Sequence, residues 1–171
     1  MNIREELLKY QIQSKEQVLR IAEFAASSEE NFTELMDCFL SSNVKLAQRA
    51  AWSVSWAAIK NPVIVRPHVG VLVNQLTKTD IHNAVIRNSI RILQDLEIPA
   101  AFHGELLSAC FDFIQKRNTP IAIKAFSLNV LFNLSKIYPE IRNELRMIIL
   151  QNIDYETAAF KSRAKKILAK I

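Results

Sequence analysis

Glycine is nearly missing from this chain: two residues in 171, beside five prolines. Hairpin turns draw on glycine for positive φ, so a β-rich fold of this length is excluded by turn chemistry. A backbone cradle for phosphate is excluded on the same ground, and no P-loop, GxGxxG, GxSxG or HExxH motif occurs. No apolar run reaches the roughly 18 residues that a membrane-spanning helix requires. The opening MNIREELLKY carries charge where a secretion signal needs an apolar core, so the expected location is the cytoplasm. The two cysteines, Cys38 and Cys110, stand far apart in apolar helical contexts (MDCFL, SACFDF). That pattern predicts buried free thiols in a reducing compartment. His68, His82 and His103 lack ligand spacing with cysteine or acid, so no metal site, cofactor site or catalytic constellation is expected. His68 and His103 take similar places in successive helices and read as repeat-surface residues.

What is abundant is helix-forming: Ala, Leu, Ile, Lys, Glu, Gln and Arg dominate. Ser14 with Gln17, and Ser27 with Glu30, fit the capping box that opens a helix. Asp80, Thr119 and Thr157 read as N-caps, with Pro120 at the first helical position. Pro62, Pro99 and Pro139 fall between apolar-periodic segments as turn markers. The pattern predicts helices over 3–12, 15–26, 29–41, 44–59, 65–77, 81–96, 100–116, 120–136, 139–152 and 157–170.

These segments repeat. VKLAQRAAWSVSWAA (44–58), HNAVIRNSIRILQDL (82–96) and PIAIKAFSLNVLFNL (120–134) superimpose at a period of about 38 residues. Small residues then align at Ala51, Ser89 and Ser127, and large apolar ones at Trp52, Ile90 and Leu128. A basic residue recurs at Arg49, Arg87, Lys124 and Arg163. The expected fold is all-α, an α-solenoid of antiparallel helix pairs, because a single pair cannot bury both its faces. One domain is expected over 1–171: a leading unit at 15–41, repeats at about 43–79, 80–118 and 119–156, and a closing helix at 157–171.

With these residues the chain resembles the HEAT/armadillo superfamily over 14–171, and the resemblance implies a right-handed solenoid. HEAT-type repeats often place Asp or Asn before the first helix and Arg six positions later, as a polar ladder between units. Asn43/Arg49 and Asn118/Lys124 keep that spacing, Asp80/Arg87 is one residue longer, and Thr157/Arg163 lacks the acid. The resemblance implies a surface for binding a protein or peptide; the missing catalytic motifs point away from an enzyme, and catalysis on this scaffold is the weaker alternative. One HEAT-like group, the bacterial glycosylases that remove alkylated bases, uses tryptophans with a nearby catalytic Asp. No Asp lies within a turn of Trp52 or Trp56, so that activity is not expected here.

Charge supplies the alternative. Residues 1–40 hold four Lys/Arg and eight Asp/Glu, whereas 41–171 hold eighteen and nine, within a formal net charge of +5. Such polarity suits an anionic partner or head-to-tail self-association. Arg49, Ser53, Lys60, Arg87 and Arg91 would form a basic stripe along successive first helices, with Arg142 and Arg146 one turn apart on a second helix. Stacked in a solenoid, such residues could follow a nucleic-acid backbone; as polar ladders and solvated faces they would be structural. The closing helix places Lys165 and Lys166 opposite an apolar face of Phe160, Ala164, Ile167, Leu168 and Ile171. Of the tryptophans, Trp52 is expected inside the solenoid with its indole N–H bonded, and Trp56 at a groove edge as the binding candidate.

Overall fold

In the computed structural model all residues from 1 to 171 are described, and every regular element is helical. The chain forms two compact units, residues 1–92 and 93–171. No helix is long and apolar enough to cross a membrane.

In the first unit, α1 (Ile3–Leu8), α2 (Lys15–Ala25) and α3 (Glu29–Phe39) precede the long α4 (Val44–Lys60). Next come α5 (Pro62–Val65), a 3-10 turn (Arg66–His68), α6 (Val69–Gln75) and α7, which runs from Asn83 to Leu93. α4 is the axis of this unit, with α1, α2 and α3 all packed on it. Its buried side chains are mostly small (Ala47, Ala50, Ala51, Ser53, Ser55, Ala57, Ala58), so three neighbours approach its backbone closely. The bulk that fills this core comes largely from α3, whose Phe32, Leu35, Met36 and Phe39 are all buried.

The second unit contains a 3-10 turn (Ala100–Phe102), α8 (His103–Gln115) and α9 (Ile121–Leu134). A 3-10 turn (Pro139–Ile141), α10 (Arg142–Asn152), a further 3-10 turn (Ile153–Tyr155) and α11 (Ala158–Leu168) follow. α9 reads IAIKAFSLNVLFNL, apolar nearly all round, and such a helix must be covered on several sides. α8 and α11 both pack against it, while α10 packs on α8.

The helix order follows the sequence pattern, and the differences have local causes. α1 ends at Leu8 instead of 12 because the carbonyls that follow are taken by a side chain from α4. Arg49 donates from Nη1 to Leu7 O (2.8 Å) and Tyr10 O (2.6 Å), and from Nη2 to Gln11 O (2.6 Å). Gln13 Nε2 returns a bond to Arg49 O (3.0 Å). A guanidinium at a helix C-terminus also meets the negative end of the peptide dipoles. The helix predicted at 65–77 is broken because Pro67 has no N–H, and the 3-10 turn at 66–68 absorbs the break.

Caps shift by a residue or two. Ser14 accepts from Gln17 N (3.1 Å), but the Gln17 side chain goes to Glu6 O, tying α2 to α1 instead of closing a capping box. Ser28, not Ser27, caps α3 by accepting from Asn31 N (3.2 Å); Ser27 Oγ donates to Phe24 O at the end of α2. His82 Nδ1, not Asp80, accepts from Ala84 N at the start of α7 (3.1 Å). α9 starts at Ile121 with Pro120 as its N-cap residue and no side-chain cap from Thr119, whereas Thr157 caps α11 as expected. No residue adopts positive φ, so both glycines are used without left-handed turns.

Cys38 and Cys110 are free and buried, and burial pushes both thiols above the usual cysteine range. His103 departs from the surface role: it is 6% exposed, with Nδ1 bonded to Tyr138 Oη (2.9 Å) and Nε2 to Ile98 O (2.7 Å). His68 is half-buried edge-on to Phe32, ring centroids 5.2 Å apart, and burial lowers its pKa.

Two substitutions in α4 should move stability in different directions. Arg49→Met keeps the stem but strips the donors from three carbonyls. It should cost about 2–3 kcal/mol in denaturant unfolding, the scale of bonds from a charged donor. Ser53 is fully buried and its Oγ has no hydrogen-bond partner. Ser53→Ala should therefore leave stability unchanged or raise it; a loss above about 1 kcal/mol would reveal a bonded hydroxyl.

Candidate binding surface

The non-buried side of α4 runs through Lys45, Gln48, Trp52 and Trp56, spaced by three or four residues as one helical stripe. α7 offers Asn83, Arg87 and Arg91 at the same spacing. The exposure patterns of α4 and α7 therefore coincide at a shift of 35, not 38. Trp52 corresponds to Arg87, and Trp56 to Arg91. This corrects the expectation for Trp52, which is half-buried on a groove instead of sharing the core position of Ile90 and Leu128.

That groove, about 540 Å³, is bordered by Gln11, Ile12, Gln13, Lys45, Gln48, Trp52 and Arg87, and no carboxylate lines it. Ile12 is 83% exposed there, an apolar side chain with no cover. The same contacts that shorten α1 create this wall: Arg49 and Gln13 hold residues 10–13 as a bent, non-helical rim instead of a last helical turn. Next to it, the Trp56 ring lies between two cations, with Lys15 Nζ 5.9 Å and Arg91 Cζ 5.3 Å from the ring centroid. Such cation–π pairing orders the long side chains and leaves their charge available. The Trp56 indole N–H is buried without an acceptor, while its ring stays on the half-exposed stripe.

The remaining sequence candidates separate into used and free. Arg49, 7% exposed, is spent on the α1 carbonyls, and Asn43 caps α4 through Leu46 N instead of forming a ladder with it. Ser53 is in the core, not on a basic stripe. Lys60 pairs with Glu23. Lys124, 4% exposed, pairs with Glu156 next to the Thr157 cap. Arg142 donates from Nε to Ser135 O (3.0 Å) and Arg146 from Nη2 to Ile171 O, so both α10 arginines close contacts within their own unit. Arg87 and Arg91 join Trp56 and Lys45 on the first unit's surface, and Lys165 and Lys166 are exposed on α11. Sequence reasoning missed Lys45, Ile12 and the exposed side of Trp52; a burial register taken from α7 alone would have revealed Trp52.

The family model described as HEAT repeat domain matches residues 3–171. The chain belongs to the HEAT repeat domain family. No curated protein and no solved structure shows a match to it. Membership accounts for the helix pairs and for the strip of equivalent residues that α4 and α7 present. Of the basic residues that the 38-residue period aligns, Arg49 and Lys124 are buried and bonded, whereas Arg87 lies open on the stripe that continues Trp52. No group of His, Cys, Asp and Glu is placed to hold a metal ion.

The surroundings of Trp56 can be read by quenching. In a Trp52→Phe background, iodide should quench the remaining tryptophan more than neutral acrylamide predicts, because Lys15 and Arg91 concentrate the anion. Arg91→Ala should lower the iodide constant and leave the acrylamide constant level or higher.

Proposed function

We infer that this HEAT repeat chain is a non-catalytic scaffold that binds an acidic segment of a partner protein in the groove beside Trp52. One observation carries the reading: the groove sets exposed Ile12 and half-buried Trp52 beside Lys45 and Arg87, with no carboxylate on its lining. Apolar surface supplies contact energy, Trp and Arg are enriched among residues that dominate protein interfaces, and unbalanced cations select an acidic partner. The proposed partner is a peptide segment with acidic residues flanking one or two apolar side chains.

A second reading, single-stranded nucleic acid, is supported by Trp56 between Lys15 and Arg91, since aromatic faces among cations suit stacked bases and phosphates. The two readings differ in salt response and composition. The test titrates the chain with a Glu-rich peptide containing leucines and, separately, with oligo-dT, at two salt concentrations, following tryptophan emission. The expected result is peptide binding that a Lys45→Glu/Arg87→Glu double variant weakens at least tenfold. Oligo-dT binding alone, falling steeply with salt as counterion release requires, would install the second reading. No response to either would refute both.

A further inference from the structure

The second unit holds a cation cluster that the groove of residues 1–92 does not involve. α9 and α11 border a cleft of about 460 Å³ whose polar lining is Asn129, Ser162, Arg163, Lys166 and Lys170, with the Phe132 ring beside them. No carboxylate lines it. Arg163 and Lys166 on α11, followed by Lys170 in the turn just after it, direct three positive charges toward one volume.

Arg163 is the informative member. It occupies the recurrent basic position, and the two buried residues at that position each find oxygen within the protein. Arg49 takes the carbonyls of Leu7, Tyr10 and Gln11, and Lys124 takes the Glu156 carboxylate. Arg163 Nη1 is buried and has no acceptor, while its guanidinium sits 5.8 Å from the Phe126 ring centroid. A desolvated guanidinium nitrogen without an oxygen is costly, and the adjacent Phe126 ring supplies only a cation–π contact in place of an acceptor. Lys170 lies 5.7 Å from the centre of the Phe132 ring, which restrains the second cation. The Ser162 hydroxyl at the cleft and the Lys166 ammonium add donors without internal partners.

We propose that the α9–α11 cleft is a binding site for a phosphoryl group. A carboxylate would bring one charge and two oxygens to three cations. A phosphoryl group brings close to two charges and three acceptor oxygens, enough for Arg163, Lys166 and Lys170 together with Ser162. The group can be free phosphate or the phosphate of a nucleotide, and the test separates these sources. The proposal does not rest on the partner groove of the first unit.

The experiment is calorimetric titration of the full chain at low ionic strength with inorganic phosphate, adenosine monophosphate and adenosine. Phosphate and the nucleotide are expected to bind, and adenosine to give no heat; a tighter nucleotide indicates that source, and equal affinities indicate free phosphate. Lys166→Gln and Lys170→Gln alter exposed side chains and should each weaken binding several-fold. Arg163→Gln should weaken it about tenfold or more, the scale of one charge-assisted hydrogen bond, with partial recovery in Arg163→Lys. The Lys45→Glu/Arg87→Glu variant should bind phosphate like the unmodified chain, so failure of the groove reading and failure of this one are distinguishable. Absence of phosphate binding, binding of adenosine as tight as its monophosphate, or affinities unchanged in the α11 variants would each overturn the proposal.

Discussion

Arg49 reaches from the middle of α4 to the carbonyls of Leu7, Tyr10 and Gln11, and the first unit is arranged around that reach. A helix ends with carbonyls that need donors, and α1 obtains them from a neighbour's side chain instead of its own next turn. Because the donor is a guanidinium on the axial helix, satisfying α1 also fixes where residues 10–13 run. Those residues, freed from the helix, become the rim that holds Ile12 and Gln13 beside Trp52. The site and the fold thus share one set of hydrogen bonds.

The helices themselves were legible because their periodicity, caps and prolines agreed with one another. Ser14, Thr157 and the proline-marked turns needed no tertiary information. What the sequence could not carry was tertiary in origin. The length of α1 depends on Arg49, a residue thirty-eight or more positions beyond the carbonyls it binds. The end of α7 at Leu93 goes with Asn133 Nδ2 donating to Gln94 O (2.9 Å), again a partner distant in sequence. Ser27 and Ser28 are equivalent by propensity, and only the packing of α2 on α3 decides which hydroxyl caps and which donates.

The binding candidates were harder to read because a basic residue in a helix has two opposite fates. Arg49 and Lys124 occur in the same pattern as Arg87 and Arg163, yet the first two are consumed internally. Composition counts all four equally, and the 38-residue alignment reinforces the error by pairing Arg49 with Arg87, although by burial Arg49 matches Ala84. The alignment erred in another way for the tryptophans: pairing α4 with α7 at 38 residues rotated α4 by almost one turn and placed Trp52 in the core. Three residues advance a helix by about 300°, so that error of register turns each side chain by about 60° relative to its true counterpart, enough to exchange a core position for a groove wall. Partner oxygen, not charge, distinguishes a structural cation from an available one.

The connectors of this chain close with serine, asparagine, histidine and 3-10 turns, and none of them uses a left-handed residue. That choice has an effect outside the folded molecule. Glycine is the residue that gives an unfolded backbone most of its freedom, and this backbone has two in 171 residues. With so few, the disordered chain samples fewer conformations and surrenders less entropy when its helices form. Part of what favours the native state here resides in the stiffness of the state that competes with it.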